Sequence, residues 1–145
     1  MDIPVPQPAQ VIRYAYLWAD EHDAGQEEGT KDRPCAIVMA LQTASNQLRV
    51  VVVPITHAPP TAGTDAIEIP ATIKKHLNLD DSPSWVVVSE LNVFVWPGPD
   101  LRPTNVPGTD TILCGYVSAG FFRAIRDRLT GNIRAGRIRQ VPRTE

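Results

Sequence analysis

Three sets of polar side chains sit at the edges of apolar runs in this chain. The first is Thr56 with His57, where "VVVVPIT" gives way to "HAPP". A threonine hydroxyl at a strand end can donate to a phosphate oxygen, and a histidine can move a proton near neutral pH. For each of them taken singly, turn chemistry ahead of "APP" is the stronger explanation. The second is Arg33, which opens "RPCAIVMAL" directly after an acidic stretch. Its planar fork suits a phosphate or a carboxylate. A lone arginine in that position more often forms a loop-edge salt bridge, here with Glu27, Glu28 or Asp32. The third is Glu90. Alternation along Ser84–Trp96 puts Val86, Val88, Glu90, Asn92 and Phe94 on one face. Burying a carboxylate there is costly unless it is paired. Glu90 therefore either points into a site or meets water on a half-exposed face, and the strand alone does not decide between them.

Other chemistries lack their residues. There is no glycine-rich phosphate loop and no G-x-S-x-G. His22, His57 and His76 have no ligand spacing, and Cys35 and Cys114 make neither a metal motif nor a disulfide framework. An enzyme built on this sequence is expected to work by metal-free acid–base or electrostatic catalysis, without a cofactor.

The elements that must position these groups are mostly strands. The 145 residues suit one domain, and the 14 prolines forbid long helices. We expect an extended lead-in over residues 1–10, one domain over 11–131 and a basic tail over 132–145. Val11–Trp18 reads as a first strand and Ala19–Asp32 as a long charged loop. Arg33–Leu41 and Leu48–Thr56 read as a second and a third strand joined by "TASNQ". A short strand "AIEIP", a short helix over Ala71–Leu79 and a long strand over Ser84–Trp96 follow. A proline-rich loop runs from Pro97 to Asp110. The last element is a helix with Ser118 as N-cap, an apolar stripe of Phe122, Ile125 and Leu129, and Gly131 at its end. Closely spaced strands with segregated helices predict an α+β fold built on a small barrel or curled sheet.

Charge is unevenly distributed. From Arg123 onward there are seven arginines against Asp127 and Glu145, a balance of +5 that leaves −7 on the rest of a chain whose net charge is −2. A basic end on an acidic body can be a phosphate-binding face, but a solvated helix and tail is the commoner meaning. No segment approaches the roughly 20 apolar residues of a membrane span. "MDIPVPQPAQ" lacks the regions of a signal peptide, and a cytoplasmic protein is expected.

The order of these features carries more than any one of them. An acidic loop with Glu28 five residues before Arg33, "RPCAIVMA", "VVVVPIT", a short helix, "SWVVVSELNVFVW" and a C-terminal helix follow one another. Over about Val11 to Leu129 this resembles the PemK/MazF family of toxins from bacterial toxin–antitoxin pairs. The resemblance implies an SH3-like β-barrel with added helices, a homodimer, and metal-independent cleavage of single-stranded RNA that a partner antitoxin blocks. It implies that Arg33 and Thr56 are catalytic, that Glu28 is a loop glutamate of the site, and that Glu90 is the acidic residue of the late strand. His57 stands where serine or threonine is commoner, and Val88 where some members carry an arginine. Two alternatives stay open: a CcdB-like inhibitor of a protein target such as gyrase, and an RNA-binding barrel without activity.

Alternation adds one geometric expectation. Val51, Val53, Ile55 and His57 share one face of the third strand, and Val50, Val52, Pro54 and Thr56 the other. Thr56 and His57 can line one site only if the chain turns immediately after Thr56.

Overall fold

A computed structural model describes residues 1–143; Thr144 and Glu145, the end of the expected basic tail, lie outside the described residues. The elements are β1 (Gln10–Tyr14), α1 (Ala19–Asp23), β2 (Arg33–Gln42), β3 (Leu48–Thr56), β4 (Ala66–Glu68), α2 (Ala71–His76), β5 (Trp85–Val87), β6 (Glu90–Val95), β7 (Leu113–Tyr116), α3 (Ala119–Arg134) and β8 (Arg139–Pro142). The fold is a strand-dominated α+β arrangement, as the sequence predicts.

Eight strands form one sheet in the order β4-β5-β3-β2-β1-β7, with β6 beside β3 and β8 beside β6. Every pairing is antiparallel except β6 with β8. The β2–β3 hairpin turns through Asn46 in the left-handed region (φ 64°), which asparagine tolerates. Beyond β2, β3 meets two partners in succession. Arg49 to Val52 pair with β6, whereas Ile55 and Thr56 pair with β5. Pro54 has no N–H to offer, and this outer ladder lapses between Val52 and Ile55.

Both faces of β3 are buried, which explains its valine run. Val53 and Ile55 join one apolar cluster with Val86, Leu77 and, from α3, Ile125 and Leu129. Val50 and Val52 join another with Tyr14, Tyr16 and Phe94. The alternation expected for β3 is therefore observed. Tyr14 stacks on Phe94 with ring centroids 4.6 Å apart.

Several expectations need correction. The first strand stops at Tyr14, where the chain bends and the Tyr16 amide donates to the Tyr14 carbonyl at 3.0 Å. The loop expected over Ala19–Asp32 begins with a helical turn, α1. Glu21 caps it by accepting from the Trp18 amide at 3.0 Å. The long strand expected over Ser84–Trp96 is two strands, β5 and β6, separated at Val88 and Ser89. At that break the Val88 carbonyl accepts from buried Asn132 of α3 at 2.8 Å. α2 ends at His76, short of Leu79. α3 has the expected cap, with Ser118 Oγ accepting from the Phe121 amide at 3.2 Å, but it runs through Gly131 to Arg134. The left-handed residue that follows the helix is Gly136 (φ 70°).

The described part of the segment expected as a basic tail, residues 132–143, is built into the fold. It completes α3 and then supplies β8 to the edge of β6. Arg143 is buried and paired with Asp100 at 2.9 Å. Arg128 pairs with Asp65, and Arg139 with Asp20 and Asp23. These contacts direct part of the basic end against the acidic body.

Candidate active site

The start of β2, the end of β3 and Arg13 of β1 converge on a cleft of about 1020 Å³. Its further walls come from Leu77–Asp80 after α2, from Ser84, and from Thr104–Pro107 in the proline-rich loop. Arg33, Thr56 and His57 all line it.

Arg33 is the first residue of β2 and is half-buried. Its guanidinium lies 4.8 Å from the centre of the Trp18 ring, a cation–π contact. Nη1 donates to the Ile55 carbonyl at 3.4 Å. Burial lowers its pKa from the usual arginine value, and the nearby charge of Arg13 adds to that effect. It nevertheless remains a cation at any physiological pH. Among the described residues, two buried side-chain polar atoms lack a hydrogen-bond partner, Nε of Arg33 and Nε of Arg13. A buried donor without a partner costs about 1–3 kcal/mol. Both arginines line the cleft, and two cations on one cleft mark it as a place for an anion.

Thr56 and His57 share the cleft because β3 ends between them. The Ala58 amide donates to Thr56 Oγ1 at 3.1 Å, closing a turn directly after the strand. This is the condition that alternation set. Because Oγ1 accepts that bond, the threonine proton is free to donate to a ligand oxygen.

His57 is exposed and held at both ring nitrogens. Nδ1 lies 3.0 Å from the Pro83 carbonyl and 3.1 Å from Ser84 Oγ, and Nε2 lies 2.9 Å from Asp80 Oδ2. A ring with its proton on Nδ1 donates to the Pro83 carbonyl, and one with its proton on Nε2 donates to Asp80 and accepts from Ser84 Oγ. Burial works against the charge of Asp80. The Ser82 amide, His57 and Lys74 outweigh it and hold the carboxyl below its ordinary value.

The two glutamates lie elsewhere. Glu28 is exposed in the loop after α1 and is not part of the cleft wall. Glu90, at the start of β6, is half-buried and also off the cleft. Its Oε1 accepts from the Tyr16 hydroxyl at 3.1 Å and from the Ala19 amide at 2.9 Å. Two residues on, buried Asn92 accepts from the Leu17 amide at 3.0 Å and donates to the Leu17 carbonyl at 2.8 Å. Together they clamp the backbone on both sides of Trp18, the residue that stacks on Arg33. Glu90 thus holds the backbone next to Trp18, which lines the cleft. Burial raises its pKa, and the bonds from Ala19 and Tyr16 offset this only in part.

Sequence reasoning passed over Arg13, Trp18 and Asp80. Arg13 had a signal, as the one charged residue inside the apolar run "VIRYAYLW". Asp80 had none, because only the fold brings it to His57. Among the described residues, no group of three or more His, Cys, Asp or Glu side chains is positioned to hold a metal ion. No helix among them is long and apolar enough to cross a membrane. In comparisons with protein-family models and with characterised proteins, nothing matched this chain.

Proposed function

We propose that the protein is a toxin-type endoribonuclease that cleaves single-stranded RNA by attack of the ribose 2′-OH, without a metal. The observation that carries this reading is the cleft itself. In it Arg33, with an unpartnered buried Nε, lies beside a threonine whose proton is free and a histidine held by a carboxylate. Attack of the 2′ oxygen on phosphorus, its proton passing to solvent water, gives a phosphorane that carries added negative charge and collapses by breaking the bond to the 5′ oxygen. Preorganised donors aimed at such charge contribute on the order of 3–4 kcal/mol. Arg33 fills that role, and Thr56 holds a non-bridging oxygen. His57, exposed on the cleft wall, is suited to protonate the departing 5′ oxygen, an effect of roughly 100- to 10,000-fold. The products are a 2′,3′-cyclic phosphate and a free 5′-OH.

The PemK/MazF resemblance supports the same reading and adds its setting: an SH3-like barrel acting as a homodimer in the cytoplasm and blocked by a cognate antitoxin. A second reading, an RNA-binding barrel without activity, draws on one observation. Glu28 and Glu90 lie away from the cleft, which leaves His57 as its acid–base group among the candidates. Incubation of pure protein with mixed-sequence single-stranded RNA in EDTA distinguishes the two. Fragments with cyclic phosphate ends are expected; salt-sensitive binding without fragments would establish the second reading. Loss of gyrase supercoiling activity without RNA cleavage would establish the CcdB-like alternative.

A further inference from the structure

Arg13 is unexplained by the site as the resemblance draws it. It projects from the middle of β1, in a strand otherwise built of core residues. It forms no salt bridge among the described residues, and its Nε is buried without a partner. It lines the same cleft as Arg33 and is near enough for the two charges to oppose each other. Two mutually repelling guanidiniums, each with an unused donor, are stable together when anions lie between or beside them.

The register says how many anions. Arg13 stands opposite Pro34, and Tyr14 opposite Arg33. Residues directly opposite share a face, and successive residues alternate. Arg13 and Arg33 therefore leave the β1–β2 ladder on opposite faces. The surroundings of Arg33 agree: it lies under Trp18, which packs against the cluster that contains Tyr14. Two forks that reach one cleft from opposite sides of a ladder suit two separate anionic groups better than one shared group.

We propose that Arg13 binds a second phosphate of the same RNA strand, next to the phosphate held by Arg33. The cleft then takes a segment with at least two successive phosphodiesters. Arg13 contributes binding and register, while Arg33 contributes to the reaction. This inference rests on the single-stranded RNA reading above.

The test is the salt dependence of binding to short 2′-O-methyl RNA oligonucleotides, which lack the attacking hydroxyl. Fluorescence anisotropy gives Kd between about 50 and 200 mM salt, and each single-strand phosphate contact contributes about 0.7 to the slope of log K against log salt. Arg13→Gln is expected to reduce the slope by about 0.7, Arg33→Gln by the same amount, and the double variant by about twice as much. Arg13→Lys, which keeps the charge, is expected to keep the slope. A double variant no different from either single one would overturn the two-phosphate proposal, as would an Arg13→Gln protein that binds like wild type. A wild-type measurement covers the case in which Arg13→Gln does not fold. A trinucleotide with two phosphodiesters should give a slope about 0.7 steeper than a dinucleotide with one, and equal slopes would overturn the proposal. If wild-type protein binds none of these oligonucleotides, the RNA reading itself fails, a result distinct from all the others.

Discussion

At the residue scale, Glu90 is held by two donors and still has a raised pKa, because burial outweighs them. Its linkage to stability follows from that direction. A carboxyl raised in the folded state stabilises most when protonated, below its unfolded value near 4.5, and loses that contribution as pH rises through the folded value. Glu90→Gln keeps an oxygen for Tyr16 and Ala19 and removes the titration. Urea midpoints measured at stepped pH should therefore show a decline for wild type that is smaller in Glu90→Gln. Parallel curves would mean that Glu90 is solvated. The residue scale is also where the sequence was most legible. Arg33, Thr56 and His57 meet in one cleft, and the condition for Thr56 and His57 to do so was stated by strand alternation alone. Arg13 and Asp80 were not legible, since a lone arginine and a loop aspartate acquire meaning only from what the fold sets beside them.

At the element scale, the loop after α1 is fixed by a close backbone approach. A Cβ on Gly29 would lie 2.2 Å from the Tyr16 carbonyl oxygen, so only glycine fits without movement. Gly29→Ala should push the loop off Tyr16 and displace Lys31 and Asp32 from the cleft rim. We expect a loss of about 1–3 kcal/mol, the usual cost of overpacking, together with faster amide exchange in residues 24–32. Unchanged stability and exchange would contradict the packing described. The strands were largely legible because β-branched runs and turn residues mark them. The division of Ser84–Trp96 was not, because valines continue to Val88 and the break is imposed from outside, by Pro54 on the neighbouring strand and Asn132 on α3. β8 was equally hidden. "RIRQVPR" has no apolar period, and it pairs along an edge of β6 that already exists.

At the scale of the whole molecule, the two ends of the charge asymmetry meet. Arg143 donates to the Ala15 carbonyl at 2.8 Å and to Asn92 at 3.3 Å while pairing with Asp100. It thereby ties β8 to the segment that carries Trp18. Arg143→Ala leaves buried Asp100 without its partner, and breaking a pair of this kind costs about 3–5 kcal/mol. The urea midpoint should fall accordingly, and a midpoint within error of wild type would show the contact to be incidental. The same segment carries Trp18, which covers Arg33. The most direct test is the initial rate of cleavage of mixed-sequence single-stranded RNA in EDTA by wild type and by Arg33→Ala, with folding of both verified by thermal melting. Cleavage by wild type is expected, with a rate roughly 100- to 1,000-fold lower for the variant, the range seen when one preorganised donor is removed. Equal rates, or no cleavage by the folded wild-type protein on any sequence, would contradict it.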